Sequence, residues 1–115
     1  MKYMLLIYEP DRNYGAEKDG APLRDMMEKH MAFGREIGPV IVNGAGLKGV
    51  ATATTIKSQG GRQTIHDGPF AETKEQLGGY YLIDVPDLDA AIAIAKKMPL
   101  YQDGSVEIRP VLSGD

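Results

Sequence analysis

The chain has 115 residues, of which 43% are hydrophobic and 25% charged, and this composition predicts a single globular domain over residues 1–115. It contains no cysteine, which excludes disulfide scaffolds, thiolate metal sites and cysteine nucleophiles. The formal net charge of −3 argues against nucleic acid as the partner, because proteins that neutralise phosphates are usually basic.

The N-terminal segment 2–9 is apolar on both alternating faces, which predicts a central strand covered on both sides. Its apolar run ends at Glu9-Pro10-Asp11, too early for a signal peptide or a membrane span. We therefore expect a soluble, cytoplasmic protein with no membrane partner. Residues 10–21 carry turn formers without a period and predict a loop.

The first helix is predicted over residues 22–37, because Pro22 suits a first helical position and Gly38-Pro39 follows the last apolar residue. Helical spacing places one set of side chains on a seam towards the core: Leu23, Met27, His30, Gly34 and Ile37.

Short strands follow the helix, and glycine-rich turns separate them. The strands at 40–43, 51–57 and 62–67 together predict a β-meander, with turns at 44–49 and 58–61. A strand at 78–85, a second helix capped by Asp87 and a strand at 105–112 complete the chain. The second helix is expected to bury Leu88, Ala91, Ile92 and Ala95.

This order of elements, β-α-β, a β-hairpin insert and β-α-β, predicts an α+β, ferredoxin-like fold. Both helices should pack on one face of an antiparallel sheet. The strands at 2–9 and 80–85 are apolar on both sides, so the other face would expose more apolar area than monomers tolerate. We therefore predict a homodimer in which a second copy covers that face.

The segment Gly44-Ala45-Gly46-Leu47-Lys48-Gly49 matches the G-x-G-x-x-G pattern of dinucleotide-binding proteins. That pattern requires a helix after the glycines, whereas the next residues are β-branched and predict a strand. We interpret the segment as a flexible hairpin turn and expect no bound cofactor.

His30 is the ionisable residue on the apolar seam of the first helix, and Asp67 ends the strand 62–67. If Ile65 points to the core, alternation turns Asp67 inward as well and leaves His66 on the surface. Two inward residues are too few ligands for a metal site. A carboxylate beside an imidazole instead allows the imidazole to act as a general base. An equal alternative is a structural pair in which the two buried side chains only satisfy each other's hydrogen bonds.

The segment 67–79 predicts a turn followed by a polar flap that begins after Gly68-Pro69 and ends at Gly78-Gly79. Glu72 and Lys74 lie on this flap. They form either a rim that recognises a polar ligand or a solvated charge cluster.

The segment DGPFAETKEQLGGYYLIDV at 67–85 resembles the signature of the DGPF-type subgroup of the YCII-related domain family. The similarity extends through residues 1–8, 51–55 and 104–110. It implies a ferredoxin-like fold that pairs as a dimeric α+β barrel. It also implies that Asp67 and His30 are the counterparts of an Asp and a His that line a pocket in this largely uncharacterised family. Relatives of this kind lie beside extracytoplasmic-function sigma factors, which implies a regulatory association.

Two functions follow from these residues. The first is a small enzyme without a bound cofactor, of lyase, hydrolase or oxygenase type, in which His30 is the general base and Asp67 orients it. Glu72 and Lys74 would then close over a small polar substrate. The second is a non-catalytic module that binds a metabolite or a sigma factor; a purely structural dimer is the remaining alternative.

Overall fold

The computed structural model describes residues 1–10, 20–71, 73–101 and 103–112. Its helices are α1 (Ala21–Ile37) and α2 (Leu88–Lys97). Its strands are β1 (Lys2–Pro10), β2 (Ile41–Gly46), β3 (Thr54–Gln59), β4 (Arg62–Asp67), β5 (Glu75–Asp84) and β6 (Ser105–Pro110). Short 3-10 turns follow α1 at Gly38–Val40 and precede β3 at Val50–Thr52.

Four strands form an antiparallel sheet in the order β2-β5-β1-β6. The first strand therefore lies in the interior of the sheet, as its apolar sequence predicts. Two helices with antiparallel sheets confirm the predicted α+β class, and the strand order is compatible with a ferredoxin-like fold.

The core lies on one face of this sheet. Tyr3, Leu5 and Ile7 of β1 are buried, and Phe33 of α1 and Ala91 of α2 belong to the same cluster. The alternate residues of β1, Met4 and Leu6 among them, are only partly buried. In a single chain, one face of β1 is therefore fully covered and the other is half covered.

The seam that α1 buries differs from the predicted one. Met26 and Phe33 are buried, whereas Met27 is 54% exposed. The other residues of the predicted seam are partly buried: Leu23, His30, Gly34 and Ile37. The prediction is therefore wrong at Met27 and lacks Met26 and Phe33, which lie beside the predicted seam.

A separate two-stranded hairpin is formed by β3 and β4, and here it is called the arm (Thr54–Asp67). The predicted hairpin insert is confirmed, but the predicted meander is wrong, because β2 pairs with β5 instead of β3. Gly60 and Gly61 connect the arm's strands with φ values of 58° and 80°. Two positive φ values are typical of the tight turn that suits hairpin twist, and glycine adopts them without strain.

Several boundaries also differ from prediction. The predicted turn 44–49 is wrong in its first half, because β2 continues through Gly46. The third strand begins only at Thr54, after a 3-10 turn, and β5 already begins at Glu75 within the predicted polar stretch. The predicted loop 10–21 falls largely on residues 11–19, outside the described residues.

Helix α2 begins as predicted. Asp87 accepts a hydrogen bond from the backbone N–H of Ala90 at 2.9 Å, which satisfies one of the free N–H groups of the first turn. The prediction that α2 buries Leu88 is wrong, because this side chain is 48% exposed. Among the described residues, no helix is long and apolar enough to cross a membrane.

Candidate functional site

A cavity of about 600 Å³ lies between α1 and the sheet, which is within the range of small-molecule sites. Helix α1 contributes one wall, and β1, β2 and β5 contribute the others. Most lining side chains are apolar. The polar side chains in the lining belong to Glu9, His30, Lys48 and Tyr81. Tyr80 also borders the cavity, but alternation directs its side chain to the opposite face of β5.

His30 is partly buried in this lining and bonds to Tyr81. Its Nδ1 lies 2.8 Å from the hydroxyl oxygen of Tyr81, and the two rings stack with centroids 5.8 Å apart. Among the described residues, Nε2 of His30 has no hydrogen-bond partner. This nitrogen is therefore the one that a bound molecule can engage.

Burial lowers the pKa of His30 below the ordinary imidazole value of 6.5, and the negative charge of Glu9 partly opposes that shift. The ring is therefore neutral at neutral pH. A neutral imidazole offers a lone pair at Nε2 when Nδ1 donates to Tyr81, and an N–H when Nδ1 accepts from it.

Tyr81 is held in place on three sides. Its ring packs edge-on against Phe33, with centroids 5.3 Å apart, and stacks on His30. Burial raises the pKa of Tyr81, so the side chain stays a phenol. A Cβ at Gly44 would lie 2.7 Å from Cδ1 of the Tyr81 ring, so the ring position requires glycine there.

Glu9 is the buried charged residue of the described chain, at 9% exposure. It ends the inward-facing series of β1 and lines the same cavity. Its Oε2 accepts the backbone N–H of Tyr101 at 2.8 Å, and Gly104 lies so close that a Cβ there would be 3.3 Å from Cγ of Glu9. The carboxylate is thus held by the segment that leads into β6.

Asp67 lies on the arm, opposite Thr54, and is exposed. The expected inward orientation of Ile65 and Asp67 is not observed, since Ile65 is 73% exposed and the arm forms its own sheet. Asp67 is not in the cavity lining, and no hydrogen bond or ion pair joins it to His30 among the described residues. His66 is exposed, as expected.

The flap residues are also outside the cavity lining. Lys74 is exposed just before β5. Glu72 lies outside the described residues, so its predicted position in the rim stays a prediction. Among the described residues, no group of three or more His, Asp or Glu side chains could hold a metal ion.

Glu9 and Tyr81 are functional candidates that the sequence reasoning missed. Alternation from the buried Leu5 and Ile7 already directs Glu9 to the helix-covered face. The same rule directs Tyr81 to the face of Ile83, where a buried phenol requires a hydrogen-bond partner. Gly44 belongs to the predicted flexible turn 44–49, whereas in the structure it makes room for the ring of Tyr81.

The chain is similar to known proteins over nearly its whole length. The YCII-related domain matches residues 1–113. A protein of Rhizobium meliloti (strain 1021) is 37% identical over 119 residues, which cover 96% of this chain and 92% of that protein. That relative is described as an uncharacterised protein.

Proposed function

Because the chain belongs to the YCII-related domain family, whose matched relative is uncharacterised, we propose its function from the cavity itself. It is an enzyme that needs no bound cofactor, and His30 is its acid–base residue. The observation that carries the proposal is a neutral imidazole in an apolar cavity, with one ring nitrogen bonded to Tyr81 and the other available.

His30 and the substrate exchange one proton, with no further acid or base required. With Nδ1–H donating to the Tyr81 oxygen, the lone pair of Nε2 accepts a proton from the substrate. The resulting imidazolium lies within the field of the Glu9 carboxylate, which stabilises it. His30 then returns the proton to another atom of the substrate or to a leaving group, as in isomerisation or a lyase-type elimination. Tyr81 keeps its own proton and can donate it to a substrate oxygen.

A direct test is solvent-deuterium exchange into a panel of small carbonyl compounds in D₂O, followed by proton NMR. We expect wild-type protein to accelerate exchange of at least one compound, and His30→Gln to lose about 100-fold or more of that rate. His66→Gln is the matched control, because it removes the exposed imidazole of the arm. Full exchange by His30→Gln would contradict the proposal.

We further propose that the protein is a homodimer, paired as a dimeric α+β barrel. The chain exposes 7770 Å², whereas a compact monomer of 12.5 kDa exposes about 6,200 Å². Its radius of gyration is 15.6 Å, against about 13.4 Å for a compact domain of this length. The excess area of two copies, about 3,000 Å², is in the range of obligate dimer interfaces.

The arm and the half-covered face of the sheet are the surfaces that supply this interface. Ile56 and Ile65 lie directly opposite each other on the arm and are 62% and 73% exposed. Met4 and Leu6 lie on the half-covered face of β1. Asp67 shares a face of the arm with Ile65. We therefore propose that Asp67 orients His30 only in the dimer, and that the substrate-binding role of Glu72 and Lys74 also belongs to the dimer.

The alternative is a non-catalytic module that binds a ligand or associates with a sigma factor. It predicts that a ligand binds the cavity while His30→Gln changes neither exchange nor turnover of any compound. The DGPF-type subgroup and a cytoplasmic location likewise stay predictions.

A further inference from the structure

The cavity under α1 combines apolar walls with a buried carboxylate, and we propose that it selects an uncharged small molecule with an apolar body and rejects anions. This inference deepens the proposed function and rests on it, because the same cavity holds His30. It names the chemical class of the substrate, which the family does not supply.

The apolar walls favour a compact hydrophobic body. Met26, Met27 and Met31 come from α1, and Ile7, Leu23 and Leu47 complete the apolar lining. Methionine side chains are flexible and polarizable, so such a wall fits flat or irregular molecules. A cavity of about 600 Å³ has room for one or two rings.

The charges in the lining disfavour an anion. Glu9 is 9% exposed and lines the same cavity as His30, so its negative charge acts on a group bound there. An anionic group beside His30 would lose its hydration and meet a like charge in a medium of low dielectric constant. Lys48 is the cationic residue of the described lining, and it is exposed. A neutral hydroxyl or carbonyl avoids this cost and can still bond to Nε2 of His30 and to the Tyr81 hydroxyl.

Three ring compounds of similar size test the proposal: benzyl alcohol, benzoate and benzylammonium. Dissociation constants are measured at neutral pH from methyl-labelled methionine signals and the His30 ring signals, which report binding in this cavity. We expect benzyl alcohol to bind most tightly. Benzylammonium should bind more weakly, because it loses its hydration in an apolar cavity to meet a carboxylate that already accepts the Tyr101 N–H. Benzoate should bind at least about tenfold more weakly than the alcohol, because it meets a like charge at close range.

Two variants assign the discrimination to Glu9. In Glu9→Gln, whose side-chain oxygen can still accept the Tyr101 N–H, benzoate should come within about threefold of benzyl alcohol. Lys48→Gln is the matched control at the cavity and should leave the ranking unchanged. If Glu9→Gln does not fold, the wild-type ranking of the three compounds still decides the proposal.

The outcomes separate this inference from the proposed function. Equal or tighter binding of benzoate by wild type, or an unchanged preference in Glu9→Gln, overturns the selection against anions and leaves the role of His30 intact. Tightest binding of benzylammonium overturns it as well, because Glu9 would then be a counter-ion for a cationic substrate. If none of the three compounds shifts the Met26 and His30 signals, the selection of a neutral ring compound is wrong, and the exchange test with His30→Gln still decides the proposed function.

Discussion

The imidazole of His30 is held by the hydroxyl of Tyr81, a residue 51 positions away in the sequence, through a contact of 2.8 Å. This bond joins the middle of α1 to β5, and both residues line the cavity. It occupies Nδ1 and leaves Nε2 available, so it determines which nitrogen can meet a ligand. The contact couples the position of α1 to the protonation state of the site.

The titration of His30 separates the two carboxylates that could act on it. We expect its pKa in wild type to lie below the ordinary imidazole value, since burial outweighs the charge of Glu9. Glu9→Gln removes the charge that favours the protonated ring, so it should lower the pKa further. The measurement is an NMR titration of the ring protons of His30.

Asp67→Asn is the comparison in this titration. On the single-chain geometry it should leave the pKa of His30 unchanged, because Asp67 lies on the arm outside the cavity. A fall in the pKa of His30 in Asp67→Asn would mean that a second copy brings this carboxylate to the imidazole. Equal titration curves for wild type and Glu9→Gln would contradict the role given to Glu9.

The lowered pKa of His30 also predicts how stability depends on pH. The imidazole of the unfolded chain, with its ordinary pKa of 6.5, binds a proton more readily than the folded one. The free energy of unfolding should therefore fall as the pH falls from above 6.5 towards the folded pKa, and the contribution of His30 levels off below that. Urea denaturation across this range should give a shallower pH dependence for His30→Gln. An identical slope in both proteins would contradict the burial of His30.

Removing the Tyr81 hydroxyl tests the hydrogen bond itself. Tyr81→Phe should lower the free energy of unfolding by about 1 kcal/mol, the usual net value of such a bond. Tyr80→Phe is the neighbouring control, since the Tyr80 side chain alternates to the opposite face of β5. Urea denaturation of both variants measures the two changes in the free energy of unfolding. Equal decreases in Tyr81→Phe and Tyr80→Phe would mean that the hydroxyl of Tyr81 contributes nothing specific.

Gly44 and Gly46 form a matched pair on β2. A Cβ at Gly44 would meet the Tyr81 ring at 2.7 Å and the Tyr80 carbonyl oxygen at 3.0 Å, whereas a Cβ at Gly46 meets nothing within 4 Å. Gly44→Ala should therefore destabilise the fold by about 1–3 kcal/mol and shift the ring signals of Tyr81 and His30. Gly46→Ala should change little. Similar stabilities and spectra for the two variants would show that β2 yields to the added methyl group.

Much of the fold was predictable from local pattern. The apolar alternation of β1, the Pro22 start of α1 and the Asp87 cap of α2 each depend on neighbouring residues, and each was placed correctly. The partner of β2 was not predictable in this way. Short turns alone favour pairing of β2 with the next strand, β3. In the structure β2 pairs instead with β5, a longer and more apolar strand that lies far away in the sequence.

Local pattern also predicts only one part of the candidate site. The helical seam singled out His30, but its partner Tyr81 lies on a strand whose distance from α1 depends on tertiary packing. Alternation directs the expected partner, Asp67, inward only if the strand 62–67 faces the core. Since the arm forms a separate sheet, that condition fails in a single chain.

The arm provides the clearest test of the dimer. Sedimentation of the wild-type protein should give twice the 12.5 kDa mass of one chain at micromolar concentration. Ile56→Ser with Ile65→Ser removes two apolar side chains that a second copy would cover, each worth about 1.5–3 kcal/mol when buried. The dissociation constant of the dimer should therefore rise by at least about 100-fold.

The control for this variant lies on the opposite face of the same hairpin. Lys57 and Thr64 are also a directly opposed pair, and alternation turns them away from the face of Ile56. Lys57→Ser with Thr64→Ser should leave the dissociation constant within about threefold of wild type, because these side chains contribute little apolar area. A monomeric wild-type protein would refute the dimer. Equal weakening by both double variants would mean that the arm's stability matters to the dimer, and that its apolar face is not the contact.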